Sequence, residues 1–283
     1  MSSSREEGGS VGGHQALPDD RGIIAALHSA DTGARCAALE QLAAESHPLR
    51  EAVALAVVDC LGASSRALQR RAADLLRSAG ASAQPCVMAC LRESLRAADR
   101  RLRWGAALAL GRIGILEPAM VAALLEAFAE PDGDCRWAAA ALMVACGRDH
   151  AGAVLPALLG ALGTGGPEQR KMACYVLRDL APSSPEVARA LVSAMRDPDV
   201  GVRLAALSGL CRLDPLPETA CEIVLERLRD DPDPGLRRAA VGALGRVGRG
   251  VAVAQEALAA AAASEDAGLR RAAARARRRL ETA

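Results

Sequence analysis

Aromatic side chains are scarce in this 283-residue chain, which contains only Trp104, Phe128, Trp137 and Tyr175. Ala, by contrast, occurs 64 times. β-Sheets rely on aromatic and β-branched side chains, whereas Ala and Leu favour helix. The composition therefore excludes an all-β protein and predicts an all-α fold with a core of small and medium side chains.

Long apolar runs are also missing. No stretch of about 18 uncharged apolar residues occurs, and the opening MSSSREEGGSVGGHQ lacks the basic-then-apolar layout of a secretory signal. We expect a cytoplasmic protein without a membrane partner. The formal net charge of +1 argues against nucleic acid as a partner.

Patterns of catalytic and metal-binding residues are absent as well. The nine cysteines include no CxxC pair, which argues against a disulfide framework or a zinc ribbon. The four histidines are scattered, and the sequence has no phosphate loop, nucleophile elbow or dinucleotide turn. Cys86 and Cys90 lie on one helical face as a candidate redox pair, but their apolar setting favours inert packing in the core. We expect no catalytic residues, metal or cofactor, and a binding protein more than an enzyme.

One unit of 33 to 35 residues repeats eight times. Each copy has an Arg followed by small residues, and apolar residues recur after it at helical spacing, as in Ala106, Ala107 and Leu110. The Arg residues stand at positions 35, 70, 103, 136, 170, 203, 237 and 270. An Asp four residues earlier is a candidate N-cap in six copies, and an amphipathic stretch precedes it. Each unit is therefore predicted to be a helical hairpin.

The segments DPDVGVRLAALSGL (197–210) and DPDPGLRRAAVGALGRVG (231–248) resemble the HEAT repeat, in particular the short bacterial form named for phycobilisome lyase subunits. The resemblance covers residues 18–283 and implies an α-solenoid there. Residues 1–17 are rich in Gly and Ser and are expected to form a disordered tail. The repeats are expected at about 18–47, 48–82, 83–115, 116–148, 149–182, 183–215, 216–249 and 250–283. The second and fifth repeats have Arg66 and Gly166 in place of the Asp.

The resemblance further implies that the Asp and Arg residues form hydrogen-bonded ladders between adjacent repeats. The ladder residues would be Asp31, Arg35, Asp99, Arg103, Asp132, Arg136, Arg170, Asp199, Arg203, Asp233, Arg237, Asp266 and Arg270. HEAT-repeat deoxyhypusine hydroxylases carry iron on paired His-Glu motifs. No His here is followed by Glu, so that activity is not expected.

A second set of residues lies on the helix face opposite the small residues, at the first, fifth and ninth positions after the repeat Arg. Trp104 and Trp137 share the first of these positions in adjacent repeats. We predict a partner-binding strip on the concave side, comprising Arg71, Trp104, Trp137, Lys171 and Tyr175. The alternative is that each Trp only lies across its neighbour and covers the ladder.

Charge is divided unevenly between the helices. The thirteen residues that start at each repeat Arg carry a summed charge of +17, which leaves −16 for the rest. The second helices are therefore expected to present a basic groove, to which Arg112, Arg212, Arg238, Arg246 and Arg271 would contribute. Such a groove attracts acidic partners, although solvated surface charges would show the same pattern.

The leading hypothesis is a non-catalytic scaffold, expected to be monomeric, that binds a protein partner along its concave, basic, Trp-containing face. An acidic peptide or domain is the candidate partner. One alternative is a chromophore lyase or its chaperone subunit, by resemblance to the phycobilin lyases. A second is a nucleic-acid binder similar in outline to HEAT-like DNA glycosylases.

Overall fold

A computed structural model describes residues 18–45, 48–181, 183–248 and 250–281, and these residues form helices joined by short loops. The described ranges contain no β-strand. The predicted tail, residues 1–17, lies outside them.

Sixteen α-helices occupy the described residues, two in each predicted repeat, and the chain divides into two compact units between Ile115 and Leu116. The first unit contains α1 (Pro18–Leu27), α2 (Thr32–Glu45), α3 (Glu51–Asp59), α4 (Arg66–Ser78), α5 (Pro85–Ser94) and α6 (Arg100–Ile113). The second unit contains α7 (Val121–Ala127), α8 (Gly133–Asp149), α9 (Ala151–Thr164), α10 (Pro167–Leu180), α11 (Pro185–Ala194), α12 (Val200–Leu210), α13 (Ala220–Asp230), α14 (Pro234–Val247), α15 (Ala252–Ala262) and α16 (Ala267–Glu281).

The second helix of most hairpins begins at an Asp cap. The carboxylate of Asp99 accepts a hydrogen bond from the Arg101 N–H at 2.8 Å, and that of Asp233 accepts one from the Leu236 N–H at 2.7 Å. These bonds satisfy amides of the first turn that have no partner within the helix. Where the Asp is missing, Ser65 caps α4 with its hydroxyl. These local signals explain why the helix starts were predictable.

Two layers of helices build each unit. The second helices pack side by side, as α2, α4 and α6 in the first unit and as α8, α10, α12, α14 and α16 in the second. The first helices of the hairpins pack against them and against one another, as α1, α3 and α5 do. Stacked hairpins with a continuous core are the architecture of an α-solenoid, so the predicted fold class is confirmed. The prediction of one array over residues 18–283 stays a prediction.

Small residues permit close approach between the second helices. The third residue after every repeat Arg is Ala, and all eight of these alanines are at most 3% exposed. Gly245 on α14 faces α16, where an added Cβ would lie 2.8 Å from the carbonyl oxygen of Ala276. The abundance of Ala is therefore a packing requirement of the stack.

Candidate functional site

The repeat Arg side chains hold the loop between the two helices of their own hairpin. Nη1 of Arg136 donates to the carbonyl oxygens of Glu130 and Pro131 at 2.6 and 2.8 Å. Arg103, Arg203, Arg237 and Arg270 make the same pair of bonds five and six residues upstream. Carbonyls that follow a helix carry partial negative charge, so a guanidinium stabilises them there.

Some of the repeat arginines also reach the next repeat, as Nε of Arg136 does at 3.2 Å from Oε2 of Glu168. Arg170 donates to both carboxylate oxygens of Asp197 at 2.7 and 2.8 Å, and Arg203 does the same to Asp231 at 2.8 and 2.9 Å. The guanidinium and the carboxylate match as planar two-bond partners. The Arg203–Asp231 pair is buried, with its side chains 7% and 0% exposed. Paired contacts of this kind connect α10 and α12 to the loops of the following hairpins.

The acceptors of these bonds correct the predicted ladder. Asp199 and Asp233 were predicted as ladder residues, but their carboxylates accept from the N–H groups of Val202 and Leu236 in their own helices. The ladder acids are the aspartates two residues earlier in each DPD motif. They lie in the loop before the cap, and a loop residue can turn towards the preceding repeat.

The ladder carboxylates remain charged despite their surroundings. Burial disfavours the charged form of Asp197, but hydrogen bonds from Arg170 and from the Asp199 amide outweigh it, and the pKa is lowered. The pKa of Asp231 is lowered in the same way by Arg203 and the Asp233 amide. Both rungs are therefore ion pairs near neutral pH.

An aromatic pair joins α8 and α10. The rings of Trp137 and Tyr175 lie with centroids 5.1 Å apart and planes tilted by 34°. The guanidinium carbon of Arg178 lies 5.1 Å from the centroid of the Tyr175 ring. We call Trp137, Tyr175 and Arg178 the aromatic cluster. Trp137 is 52% exposed, which is unusual for so large an apolar side chain.

Arg178 is held in place on several sides. It donates two bonds to the Asp179 carboxylate, both 2.8 Å, and one to the Ser208 hydroxyl of α12 at 3.1 Å. These bonds from Arg178 lower the pKa of Asp179, although partial burial opposes the shift. The aromatic cluster is thus fixed before any partner arrives, which reduces the entropy that binding would cost.

The aromatic cluster belongs to a larger surface of the second unit. The residues that directly follow the repeat Arg share one register on helices that pack side by side, which places them on one face: Trp137, Lys171, Leu204, Arg238 and Arg271. We call this surface the second-helix face. Leu204 is 37% exposed, and both arginines are exposed. Lys171 is half-buried and bonds to Glu168 at 2.7 Å.

The predicted strip is wrong for Trp104, which is buried with 5% exposure and so offers little surface to a partner. Its position on its own helix matches that of Trp137, but burial depends on what packs above that position. Arg71 and Arg112, also in the first unit, are exposed and form ion pairs with Glu40 and Asp74.

The predicted basic groove is also partly neutralised in the second unit. Nη2 of Arg246 donates to the Leu213 carbonyl at 3.2 Å, and Arg238 lies 3.7 Å from Asp266. Arg212 is exposed, and its charge helps to lower the pKa of Asp179. The second helices therefore carry acids among their cations, which the summed charge concealed.

The exposure of the cysteines differs from the expectation at Cys86. All nine are free, and Cys60, Cys135, Cys146, Cys174 and Cys221 are buried. Cys86, assigned to the core from its apolar neighbours, is exposed because it lies in the first turn of α5. Hydrogen bonding to Glu51 raises its pKa. In the described part of the chain, no group of His, Cys, Asp and Glu side chains is placed to hold a metal ion.

Several residues of interest escaped the sequence argument. Arg178 was missed because it lies outside the three positions considered, although it falls one turn beyond Tyr175 on α10. Arg275 on α16 was not named, although it stands five residues after Arg270, as Tyr175 stands five residues after Arg170. For Asp197 and Asp231 a signal existed, since both stand first in a DPD motif six residues before a repeat Arg.

Within the residues that the structure describes, no helix is both long and apolar enough to cross a bilayer. Comparison with family models matches residues 54–143 and 188–278 to HEAT repeats, which is more than half of the chain. No curated protein matches the sequence.

Several solved structures share the fold. Escherichia coli YibA is similar with a TM-score of 0.59 at 16% identity, and the match covers 94% of this chain and 93% of that one. Kap95p, from a structure on the binding of Kap95p to RanGDP, matches with a TM-score of 0.60 at 13% identity. Kap121p matches with a TM-score of 0.59 at 13% identity. These matches cover 93% and 92% of this chain but 40% and 33% of Kap95p and Kap121p.

Proposed function

Because the chain belongs to the HEAT-repeat family, we propose that it is an interaction scaffold whose second unit binds a protein partner on the second-helix face. The single observation that carries the proposal is the half-exposed ring of Trp137, held against Tyr175. Tryptophan and arginine are enriched among the residues that dominate binding energy at protein interfaces.

A partner that covers Trp137 would remove its exposed apolar area from water. A Trp side chain buries about 150–250 Å² when fully covered, so the exposed half of Trp137 offers about 100 Å². At about 25 cal/mol per Å², covering it contributes about 2–3 kcal/mol, or roughly 30- to 150-fold in Kd. A ring that is already fixed loses less conformational entropy on binding than a mobile one, so more of this free energy contributes to affinity.

Support from the comparisons is limited to the type of protein. Kap95p, which has the same fold, binds RanGDP according to its structure. Scaffolds of stacked hairpins present extended surfaces suited to such partners. The position of the binding face and the acidic nature of the partner are our inference from the exposed residues of the second unit.

The test is affinity capture from the source cells with tagged wild-type protein, Trp137→Ala and Val253→Ala. Val253 is 46% exposed on α15, in the other layer, and serves as the matched control. A specific partner should be retained by wild type and Val253→Ala and lost by Trp137→Ala. Equal retention by all three folded proteins would reject the aromatic cluster as the site.

Fluorescence can then follow the interaction with the purified partner. Trp104→Phe leaves Trp137 as the only Trp, and its emission should shift to shorter wavelength as the partner covers it. Trp137→Phe leaves the buried Trp104, whose emission should change little. A low-salt gel shift with an oligonucleotide provides the counter-test, because retardation that requires Trp137 would favour the nucleic-acid alternative instead.

A further inference from the structure

Three exposed arginines gather at the carboxyl-terminal end of the second unit. Arg238 lies on α14, while Arg271 and Arg275 lie one turn apart on α16. They line an open recess of about 580 Å³ beside the cap residue Asp266. We call these three residues the arginine cluster.

The arginine cluster carries more positive charge than its neighbouring acidic side chain neutralises. Its one neighbouring acid, Asp266, lies 3.7 Å from Arg238 and accepts hydrogen bonds from the amides of Gly268 and Leu269. In the described part of the chain, no acidic side chain lies within ion-pair distance of Arg271 or Arg275. Three guanidinium groups against one carboxylate leave an excess of two positive charges, and guanidinium groups bind carboxylates through two parallel bonds.

The arginine cluster and the aromatic cluster lie on the same face at a distance that helix packing sets. Neighbouring packed helices are about 8–10 Å apart, so α14 and α16 lie about 16–30 Å from α10. An extended chain advances about 3.3 Å per residue and spans this distance with about five to nine residues. Leu204 on α12 offers an exposed apolar contact between the two clusters.

We propose that the second-helix face binds an extended acidic segment of a protein partner. An apolar side chain of the segment lies on the aromatic cluster, and two or more Asp or Glu residues, about five to nine positions away, bind the arginine cluster. This inference rests on the proposed function, for which it names the chemistry of the partner.

The distribution of charge favours a peptide over a nucleic acid. A nucleic acid carries a phosphate at every step and needs free cations along its whole path. Beside the aromatic cluster, Lys171 is paired with Glu168, and Arg178 with Asp179. Arg136 also pairs with Glu168, and Arg212 also acts on Asp179, so two carboxylates offset part of the positive charge beside the rings, whereas one carboxylate faces the three guanidinium groups of the arginine cluster. The face is therefore aromatic at one end and more positive at the other, which complements a segment with an apolar end and an acidic end.

The proposal is tested with fluorescein-labelled synthetic peptides that join one Phe to three Glu residues through Gly-Ser spacers. Spacers of about two, seven and sixteen residues are compared in both chain directions by fluorescence anisotropy at low salt. We expect the intermediate spacer to bind about tenfold more tightly than the short one, because the short spacer cannot reach both clusters.

Two variants separate the clusters. Arg271→Glu/Arg275→Glu should weaken the best peptide at least about tenfold and remove most of its salt dependence. Glu and Arg have similar helix propensities, so α16 should remain folded, as circular dichroism would verify. The matched control, Arg189→Glu/Arg229→Glu, makes the same change in net charge on exposed positions of the first helices and should change affinity less than about twofold.

The outcomes distinguish this inference from the proposed function. Unchanged affinity in Arg271→Glu/Arg275→Glu, with loss in Trp137→Ala, would overturn the acidic-segment inference and leave the aromatic cluster as the partner site. Absence of binding by every peptide would also overturn it. An oligonucleotide that binds more tightly than the best peptide and requires Arg271 and Arg275 would overturn it in favour of nucleic acid.

Discussion

Replacement of Arg203 by Met tests the ladder where it is most buried. The variant leaves the Asp231 carboxylate, with 0% side-chain exposure, without its two-bond partner. It also leaves the carbonyls of Asp197 and Pro198 without their donor. Removing one partner of a buried ion pair costs about 3–5 kcal/mol. Arg227 remains 3.6 Å from Asp231, so we expect the lower end, about 3 kcal/mol.

The assay is urea and thermal unfolding followed by circular dichroism. For a unit of this size, a loss of about 3 kcal/mol lowers Tm by about 6–12 °C. Arg71→Met is the control, because the Arg71–Glu40 pair is exposed and contributes about 0–1 kcal/mol. Arg203→Met/Asp231→Asn should recover part of the loss, since the buried carboxylate is removed together with its partner. A loss below about 1 kcal/mol in Arg203→Met would refute the reasoning.

The pH dependence of stability tests independently whether the ionised form of Asp231 stabilises the folded state. The pKa of Asp231 in the folded protein lies below its ordinary value of 3.8, so the folded state favours the ionised form. The stabilisation is fully present above that ordinary value and is lost as the pH falls through the lowered pKa. The difference in stability between wild type and Arg203→Met should therefore be constant near neutral pH and shrink below about pH 4. A difference that grows with acid would contradict the assignment.

Two further predictions concern the core. Ala206→Leu should overpack the contact between second helices and lower the free energy of unfolding in urea by about 1–3 kcal/mol. Ala141→Leu, on an exposed position of α8, should lower it much less. Equal unfolding midpoints of the two variants would contradict the packing assignment. Burial raises the pKa of Cys174 to about 12, so at pH 8 a thiol reagent should modify exposed Cys86 in the folded protein long before Cys174, as peptide mass spectrometry would show. Equal rates would refute that ordering.

The hairpins were predictable because their signals are local. A cap acts on the amides two or three residues ahead, and the Arg acts on carbonyls five and six residues behind. The cap and the Arg recur with the repeat, so the spacing of these residues in the sequence predicted the two helices of each repeat. Even the second repeat, with Arg66 in place of Asp, kept its register because Ser65 supplied the cap.

Exposure was less predictable because it depends on neighbouring helices. The position of a residue after the repeat Arg determines its angle around its own helix, but not what lies over that angle. Trp104 and Trp137 occupy equivalent positions, yet they are 5% and 52% exposed. The same limit applies to Cys86, whose apolar sequence neighbours face the core while its own side chain faces solvent.

The summed charge of the second helices overstates the positive potential that a partner would encounter. Much of the summed positive charge belongs to arginines that bind loop carbonyls or ladder aspartates. Those guanidinium groups already have partners within the fold. Lys171 and Arg178 are paired beside the aromatic ring. On the second-helix face, Arg271 and Arg275 have no acidic side chain within ion-pair distance among the described residues. A charge excess at one end and an exposed ring at the other make the face directional, so a bound segment has one preferred orientation.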